Sequence, residues 1–492
     1  MSLINVTNLT FAYEGSYDNI FENVSFQIDT DWKLGFTGRN GRGKTSFLNL
    51  LLGKYEYSGN ISAHVSFEYF PFHVENKQSN TIDVINDIFP DYIHWKLMRE
   101  LSLLKVSDEV LYRSFDSLSN GEQTKVLLAA LFIKENSFLL IDEPTNHLDM
   151  TARKLVSDYL KTKSGYILVS HDRSFLDNCV DHTLSINKTN IEIQKGNFSA
   201  WWENKMRQDN FELAENEKLR RDINRLSGSA KRTGNWSHEV EKTKNGTRNS
   251  GSKVDKGYIG HKAAKMMKRS KSIEQRQLSA IDEKSKLLKN IENSDSLEIS
   301  QLDFHKNLLA ELDLVSIYYG EKRVCEDISF TIEQGMRIAL VGKNGSGKSS
   351  IIKLICGEDL NYTGNFMKDS QLKISYVSQD TSHLHGNLSD YAANNGVDES
   401  LFKSILRKLD FSRVQLEKDI SDFSGGQKKK VLIAKSLSEN AHLHIWDEPL
   451  NFIDVISRMQ IEELLLEYEP TILFVEHDKE FCNNVATDII DL

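Results

Sequence analysis

Lys33–Gly53 reads KLGFTGRNGRGKTSFLNLLLG. A short apolar run, Leu34 to Phe36, leads into G-x-x-G-x-G-K-T, and a leucine-rich helical pattern follows at once. Strand, glycine loop and helix in that order form a phosphate cradle, because backbone amides at the helix start face the anion at the positive end of the helix. Gly38, Gly41 and Gly43 let the backbone turn those amides inward. Lys44 is placed to reach β- and γ-phosphates, the Thr45 hydroxyl to ligate Mg²⁺, and Asn40 and Ser46 to complete the lining of a site for ATP. The predicted fold class is therefore α/β.

Further along, Phe138–Asp149 reads FLLIDEPTNHLD. An apolar strand here delivers two carboxylates at its carboxyl end, where open α/β sheets bind ligands. Asp142 is placed to hold Mg²⁺, and Glu143 to orient or polarise an attacking water. Before them stands LSNGEQTKVLLAA, Leu118–Ala130, a loop opening a helix whose first amides can bind a second anion. Ser119 and Gly121 lie in that loop. His171 ends another apolar strand, ILVSHD, 29 positions after Asp142.

The pattern then repeats. LVGKNGSGKSS supplies Gly342, Asn344, Gly345, Gly347, Lys348, Ser349 and Ser350. SYVSQD supplies Gln379, FSGGQKKK supplies Ser424 and Gly426, LHIWDEPLNFID supplies Asp447 and Glu448, and LFVEHD supplies His477. Corresponding residues lie 304 to 306 positions apart in the same order, which marks an internal duplication.

LSNGEQ resembles the signature of ATP-binding cassette (ABC) ATPases, DEPTNHLD their Walker B motif and D-loop, and His171 and His477 their switch histidines. That resemblance implies that Tyr13 and Tyr319 stack on adenine and that Gln379 joins Ser349 and Asp447 at the metal. It also implies that each ATP is sandwiched between halves, Lys44 sharing one with Ser424 and Gly426, and Lys348 the other with Ser119 and Gly121. Closure on the γ-phosphate and release after hydrolysis would then be the working cycle. Two departures stand out. Phe72 and His73 occupy the place of the family's Q-loop glutamine in the first half, and Leu450 and Phe452 replace the Thr and His of the first D-loop.

Between the repeats the composition changes sign. Gly228–Arg276 holds 13 Lys and Arg against 4 Asp and Glu, in a chain whose net charge is −10. Taken alone, such a run reads as a solvated linker. Met206, Leu213, Leu219, Ile223 and Leu226 before it, and Met267, Ile273, Leu278, Ile281, Leu288 and Ile291 after it, predict two antiparallel helices carrying a glycine- and lysine-rich tip. The expected layout is a first nucleotide-binding domain over 1–200, a helical-hairpin linker over 201–300 with its tip at about 228–258, and a second nucleotide-binding domain over 301–492.

The longest unbroken apolar run, Val126–Ile133, is far short of the ~20 residues that cross a bilayer. Cys179, Cys325, Cys356 and Cys482 lack any C-x-x-C spacing, which argues against zinc and disulfides. With LINVTNLTF opening as a strand rather than a leader, the expected compartment is the cytoplasm.

Two cassettes, no membrane segment and a charged linker between them resemble the ABC-F family. WKLGFTGRNGRGK, IGHKAAKMMKRSK and WDEPLN resemble its Lsa type of antibiotic-resistance protein. The resemblance implies a monomer that pairs its own cassettes and binds the E site of the bacterial ribosome, against 23S rRNA of the 50S subunit and the P-site tRNA. Its linker would promote release of lincosamides, pleuromutilins and streptogramin A compounds. Lys242, Lys244, Arg248, Lys253, Lys256, Lys262, Lys265, Lys268 and Arg269 would meet RNA, with Val254 at the apex. The alternatives are a housekeeping ABC-F translation factor acting on stalled ribosomes and the ATPase subunit of a separate membrane transporter. A role on DNA is not expected, since the zinc-type cysteine clusters of the best-known repair design are absent.

Overall fold

A computed structural model describes residues 2–13, 19–134, 136–146, 148–186, 191–212, 302 and 304–492, together with single positions between 214 and 276. Met1–Trp201 and Ser294–Leu492 form one compact unit and Trp202–Asn293 another. In the second unit the described residues are helical, running unbroken through 202–212; Lys265, Lys268 and Arg269 are helical and exposed. The expected tip with Val254, and Lys242, Lys244, Arg248, Lys253, Lys256 and Lys262, lie outside the described residues.

In the first half, β1 (Leu3–Phe11), β2 (Phe21–Asp29) and β4 (Ser58–Ser62) form an antiparallel sheet in the order β2-β1-β4. The main sheet contains β3 (Lys33–Thr37), β5 (Ser66–Phe70), β6 (Ser137–Asp142), β7 (Tyr166–Val169), β8 (His182–Ile186) and β9 (Ile191–Lys195), ordered β5-β6-β7-β3-β8-β9. All neighbours are parallel except β8 and β9. A parallel strand covered on both faces reads as an unbroken apolar run, as FLLI in β6 and YILV in β7 do. Helix α1 (Lys44–Leu51) packs Phe47, Leu48, Leu50 and Leu51 between the two sheets.

Helices α2 (Thr81–Ile88) and α3 (His94–Leu103) precede α4 (Asn120–Leu131), whose Val126–Leu131 face is buried. The longest apolar run is thus core, and no helix among the described residues is long and apolar enough to cross a membrane. Helices α5 (Met150–Lys161) and α6 (Arg173–Cys179) complete the half.

Register fixes the site. Phe36 pairs with Val169 and Val169 with Asp142, so β3, β7 and β6 end level. The loop after β3, the acids after β6 and the histidine after β7 therefore converge at one edge, beside the point where strand order reverses.

The second half repeats this plan. An antiparallel sheet of β10 (Leu308–Tyr319), β11 (Lys322–Glu333) and β13 (Asn361–Lys368) accompanies β12 (Arg337–Val341), β14 (Ile374–Val377), β15 (Leu443–Asp447), β16 (Ile472–Val475) and β17 (Asp488–Asp491), ordered β14-β15-β16-β12-β17. Its helices are α7 (Lys348–Cys356), α8 (Leu388–Asn394), α9 (Glu399–Lys408), α10 (Gly425–Ser438), α11 (Val455–Tyr468) and α12 (Lys479–Val485).

Trp446, fully buried in β15, donates its indole N–H to Ser436 Oγ at 2.9 Å, one residue before Asp447. Trp446→Ala should leave a cavity, remove one of the hydrogen bonds at Ser436 Oγ, which keeps Ser375 and His444 as partners, and lower stability by about 3–5 kcal/mol. The check is the urea midpoint for unfolding of the second half; an unchanged midpoint would show that this packing does not hold β15.

Candidate active sites

The two phosphate loops are built alike. Gly43 and Gly347 begin α1 and α7 in left-handed conformation, at φ 94° and 97°. A side chain at Gly43 would meet Ile20 Cγ2 at 2.5 Å, so the residue must be glycine for close approach as well as for its dihedral angle. Gly41 and Gly345 also have positive φ, but a Cβ there would meet nothing within 4 Å, leaving open space over the loop. Lys44 Nζ donates to Gly38 O at 2.6 Å and Asn40 Oδ1 at 3.2 Å, and Lys348 Nζ to Gly342 O at 3.0 Å. Burial pulls both ammonium groups below their ordinary pKa, and nearby carboxylates oppose that shift.

Around them the acids gather. Thr45 Oγ1 lies 3.4 Å from Asp142 Oδ2, and Ser349 Oγ 3.3 Å from Asp447 Oδ1. His171 Nε2 approaches Glu143 Oε1 at 3.0 Å, and His477 Nε2 approaches Glu448 Oε1 at 3.5 Å. Burial and the adjacent glutamate raise Asp142 and Asp447 above the usual aspartate range. For Glu143 and Glu448 burial acts in the same direction, but the histidine beside each, with lysines nearby, outweighs it and holds both below the usual value. Each pair thus contains one carboxylate held ionised beside a histidine and one that stays costly to ionise without a cation. Both glutamates adopt left-handed backbone, at φ 51° and 47°, a strain that the surrounding β-strands must hold.

The donor set fits Mg²⁺. Among the described residues no group of three or more acidic, His or Cys side chains could hold a metal alone. A hydroxyl and a carboxylate per site suit an ion that keeps waters and takes further oxygens from phosphates.

Gln379 donates to Glu448 Oε2 at 2.8 Å and so sits on the glutamate next to Asp447. In the first half, Phe72 instead packs edge-on against Phe89, and the group that reaches the metal-site acid is Tyr69, whose phenol donates to Asp142 Oδ2 at 3.0 Å. Motif spacing does not mark this tyrosine, because it reaches Asp142 through the pairing of β5 with β6. Tyr13 and Tyr319 are half-exposed, and their phenols lie 2.7 Å and 3.5 Å from Ser46 and Ser350.

Ser119 and Ser424 open α4 and α10 through capping boxes with Glu122 and Gln427, the S-x-x-E/Q arrangement that satisfies first-turn amides. The residues just inside each helix lie against the opposite half's loop: Asn120 beside Lys348 and Gly426 beside Asn40. Asn40 Nδ2 donates to Phe452 O at 2.7 Å, and a Cβ on Gly426 would stand 3.1 Å from Asn40 Nδ2. On the other side a cavity of about 330 Å³ is lined by Lys348, Ser349, Glu448 and His477 of the second half and Asn120 and Arg153 of the first. Neither half closes a site by itself. The replaced D-loop residues have specific partners: the Leu450 N–H donates to Glu476 Oε1 at 2.7 Å, whereas in the first half Thr145 meets Ser170 at 3.1 Å.

A family model described as ABC transporter matches residues 21–146 and 325–451. The chain is similar to the ATP-binding protein Uup of Buchnera aphidicola, 28% identical over 99% of this chain and 80% of that protein. It is also similar to the ribosome protection protein VmlR of Bacillus subtilis, 27% identical over 98% of this chain and 85% of that one. Among solved structures, the archaeal ribosome recycling factor aABCE1, crystallised with a ribosomal stalk protein, shares the fold with a TM-score of 0.63 at 17% identity, over 98% of this chain and 87% of that chain.

Replacing Glu143 and Glu448 together by Gln should leave ATP binding intact and lower kcat by about 10²–10⁴-fold, the usual contribution of a positioned base. Phosphate release measured beside nucleotide binding checks this; full turnover in the double variant would remove both glutamates from the chemistry.

Proposed function

Since the chain belongs to the ABC transporter family and is an ATPase, we propose that it is an ABC-F protein that acts on the bacterial ribosome and protects it from antibiotics. The observation that carries this reading is the basic segment set between two paired cassettes, 13 Lys and Arg against 4 Asp and Glu over Gly228–Arg276. A polyanion is the natural partner of such a segment, and RNA presents one with phosphates that Lys and Arg can neutralise. The similarity to a protein named for ribosome protection supports the same direction.

In this reading Lys44 with Ser424 and Gly426, and Lys348 with Ser119 and Gly121, each hold one ATP. The threonine or serine after each lysine and the first Walker B acid would hold Mg²⁺, which supplies charge neutralisation at the phosphates. Glu143 and Glu448 orient the attacking water, and His171 and His477 hold them ionised and in place. ATP favours the closed pair because its γ-phosphate is satisfied only when both halves contribute, and hydrolysis ends that preference. The 201–300 segment is thereby presented to the ribosome in one nucleotide state and withdrawn in the other. Release of lincosamides, pleuromutilins and streptogramin A compounds from the peptidyl-transferase centre is the proposed outcome.

The Glu143→Gln, Glu448→Gln variant with ATP should co-sediment with ribosomes, and Lys253→Glu with Lys256→Glu should weaken that binding and flatten its dependence on salt. Failure to co-sediment at low ionic strength would contradict the ribosomal role. Expression in a susceptible bacterium should restore growth only when lincomycin is present; equal benefit without drug would favour the housekeeping translation factor.

A further inference from the structure

The two interfaces between the halves are not equivalent in charge. Around the first site, Arg39 Nε and Arg42 Nη2 lie 3.7 Å and 3.5 Å from Asp410 Oδ2, and Arg39 Nη1 donates to Gln460 Oε1 at 3.2 Å. Arg173, two residues past His171, pairs with Glu462 of α11 and, at 3.2 Å, with Glu480 of α12. Three arginines of the first half thus meet three carboxylates of the second. Arg39, Arg173 and Glu462 are nearly buried, with 5%, 9% and 11% of their side chains exposed, so salt screens the Arg173–Glu462 pair little and loss of either partner strands a charge.

The duplication identifies the counterpart of every one of these residues. At the second interface Arg39, Arg42 and Arg173 correspond to Lys343, Ser346 and Lys479, while Asp410, Glu462 and Glu480 correspond to Lys105, Ser157 and Ser174. Lys105 and Asp410 share left-handed backbone, at φ 52° and 69°, which fixes the correspondence in space. Where the ion triplet stands on one side, the other has a cavity of about 480 Å³ lined by Ser157, Ser174, Lys479 and His477. Asp158 also lines it and is held by Asn178 Nδ2 at 2.9 Å.

We propose that this one-sided clasp makes the first site, at Lys44, the one that retains its nucleotide, and the second, at Lys348, the one that opens and exchanges. The halves then part as a hinge, with Arg173, Glu462 and Glu480 on the side that stays together. This goes beyond the ribosomal reading and does not depend on which macromolecule the central segment contacts.

The test uses the full-length chain without ribosomes, loaded with a fluorescent ADP and Mg²⁺ and chased with unlabelled ATP. Two release phases are expected, the slow one lost in Lys44→Ala and the fast one in Lys348→Ala. Glu462→Gln with Glu480→Gln should speed the slow phase by about 10²-fold, the effect of breaking one desolvated pair, and leave the fast phase unchanged. Building the missing half of a clasp, Ser157→Glu with Ser174→Glu opposite Lys479, should slow the fast phase. A single release rate, a slow phase that survives Lys44→Ala, or a fast phase indifferent to the added glutamates would overturn the proposal.

Discussion

Asn40 of the first half donates to the backbone carbonyl of Phe452, 412 residues away, at 2.7 Å, and the rest of the molecule is arranged around contacts of that kind. A phosphate loop offers amides and one lysine from one side of the nucleotide. In the proposed sandwich the opposing helix start, capped by Ser424 or Ser119, supplies further donors. Placing donors on two bodies makes the nucleotide's charge a reason for the bodies to meet, and their meeting a report of the nucleotide's state. The halves must therefore be complementary to each other as well as complete in themselves, and duplication of one domain reaches that condition with little new sequence.

Each half is a device for holding strained and costly groups at one sheet edge. Glu143 and Glu448 keep left-handed backbone between a buried aspartate and a histidine. Strands covered on both faces provide the rigidity, because their registers are fixed by apolar side chains that have nowhere else to go. The aspartates stay above their ordinary pKa for the same reason the site suits a cation: burial leaves their charge uncompensated until something positive arrives. Cation, nucleotide and closure are in this way parts of one electrostatic balance.

Most of this plan was legible in the sequence because its chemistry is local. Gly38 to Ser46 specify a loop through residues a few positions apart, and FLLIDE or LHIWDE specify a buried strand ending in acids. What was not legible depends on register between distant segments. That Tyr69 reaches Asp142 follows from the pairing of β5 with β6, where Tyr69 stands beside Leu140. That Arg39 and Arg42 face Asp410 rather than phosphate alone follows from how two domains dock, and no spacing within either loop announces it. A signal did exist: GRNGRGK in one half and GKNGSGK in the other differ at two positions, and in the first half both side chains reach across the interface. The expected central hairpin, read from weak periodicity and a change of charge, falls mostly outside the described residues.

The central claim is that each nucleotide belongs to both halves. Counting nucleotides trapped per chain in the presence of Mg²⁺ tests it most directly when one loop lysine and one signature serine are disabled together. Lys44→Ala with Ser424→Arg should damage the same site twice and still trap one nucleotide, whereas Lys44→Ala with Ser119→Arg should damage both sites and trap none. The reverse pattern, in which Ser119→Arg spares the second nucleotide and Ser424→Arg removes it, would mean that each half holds its own ATP and that the halves are not clamped by sharing it.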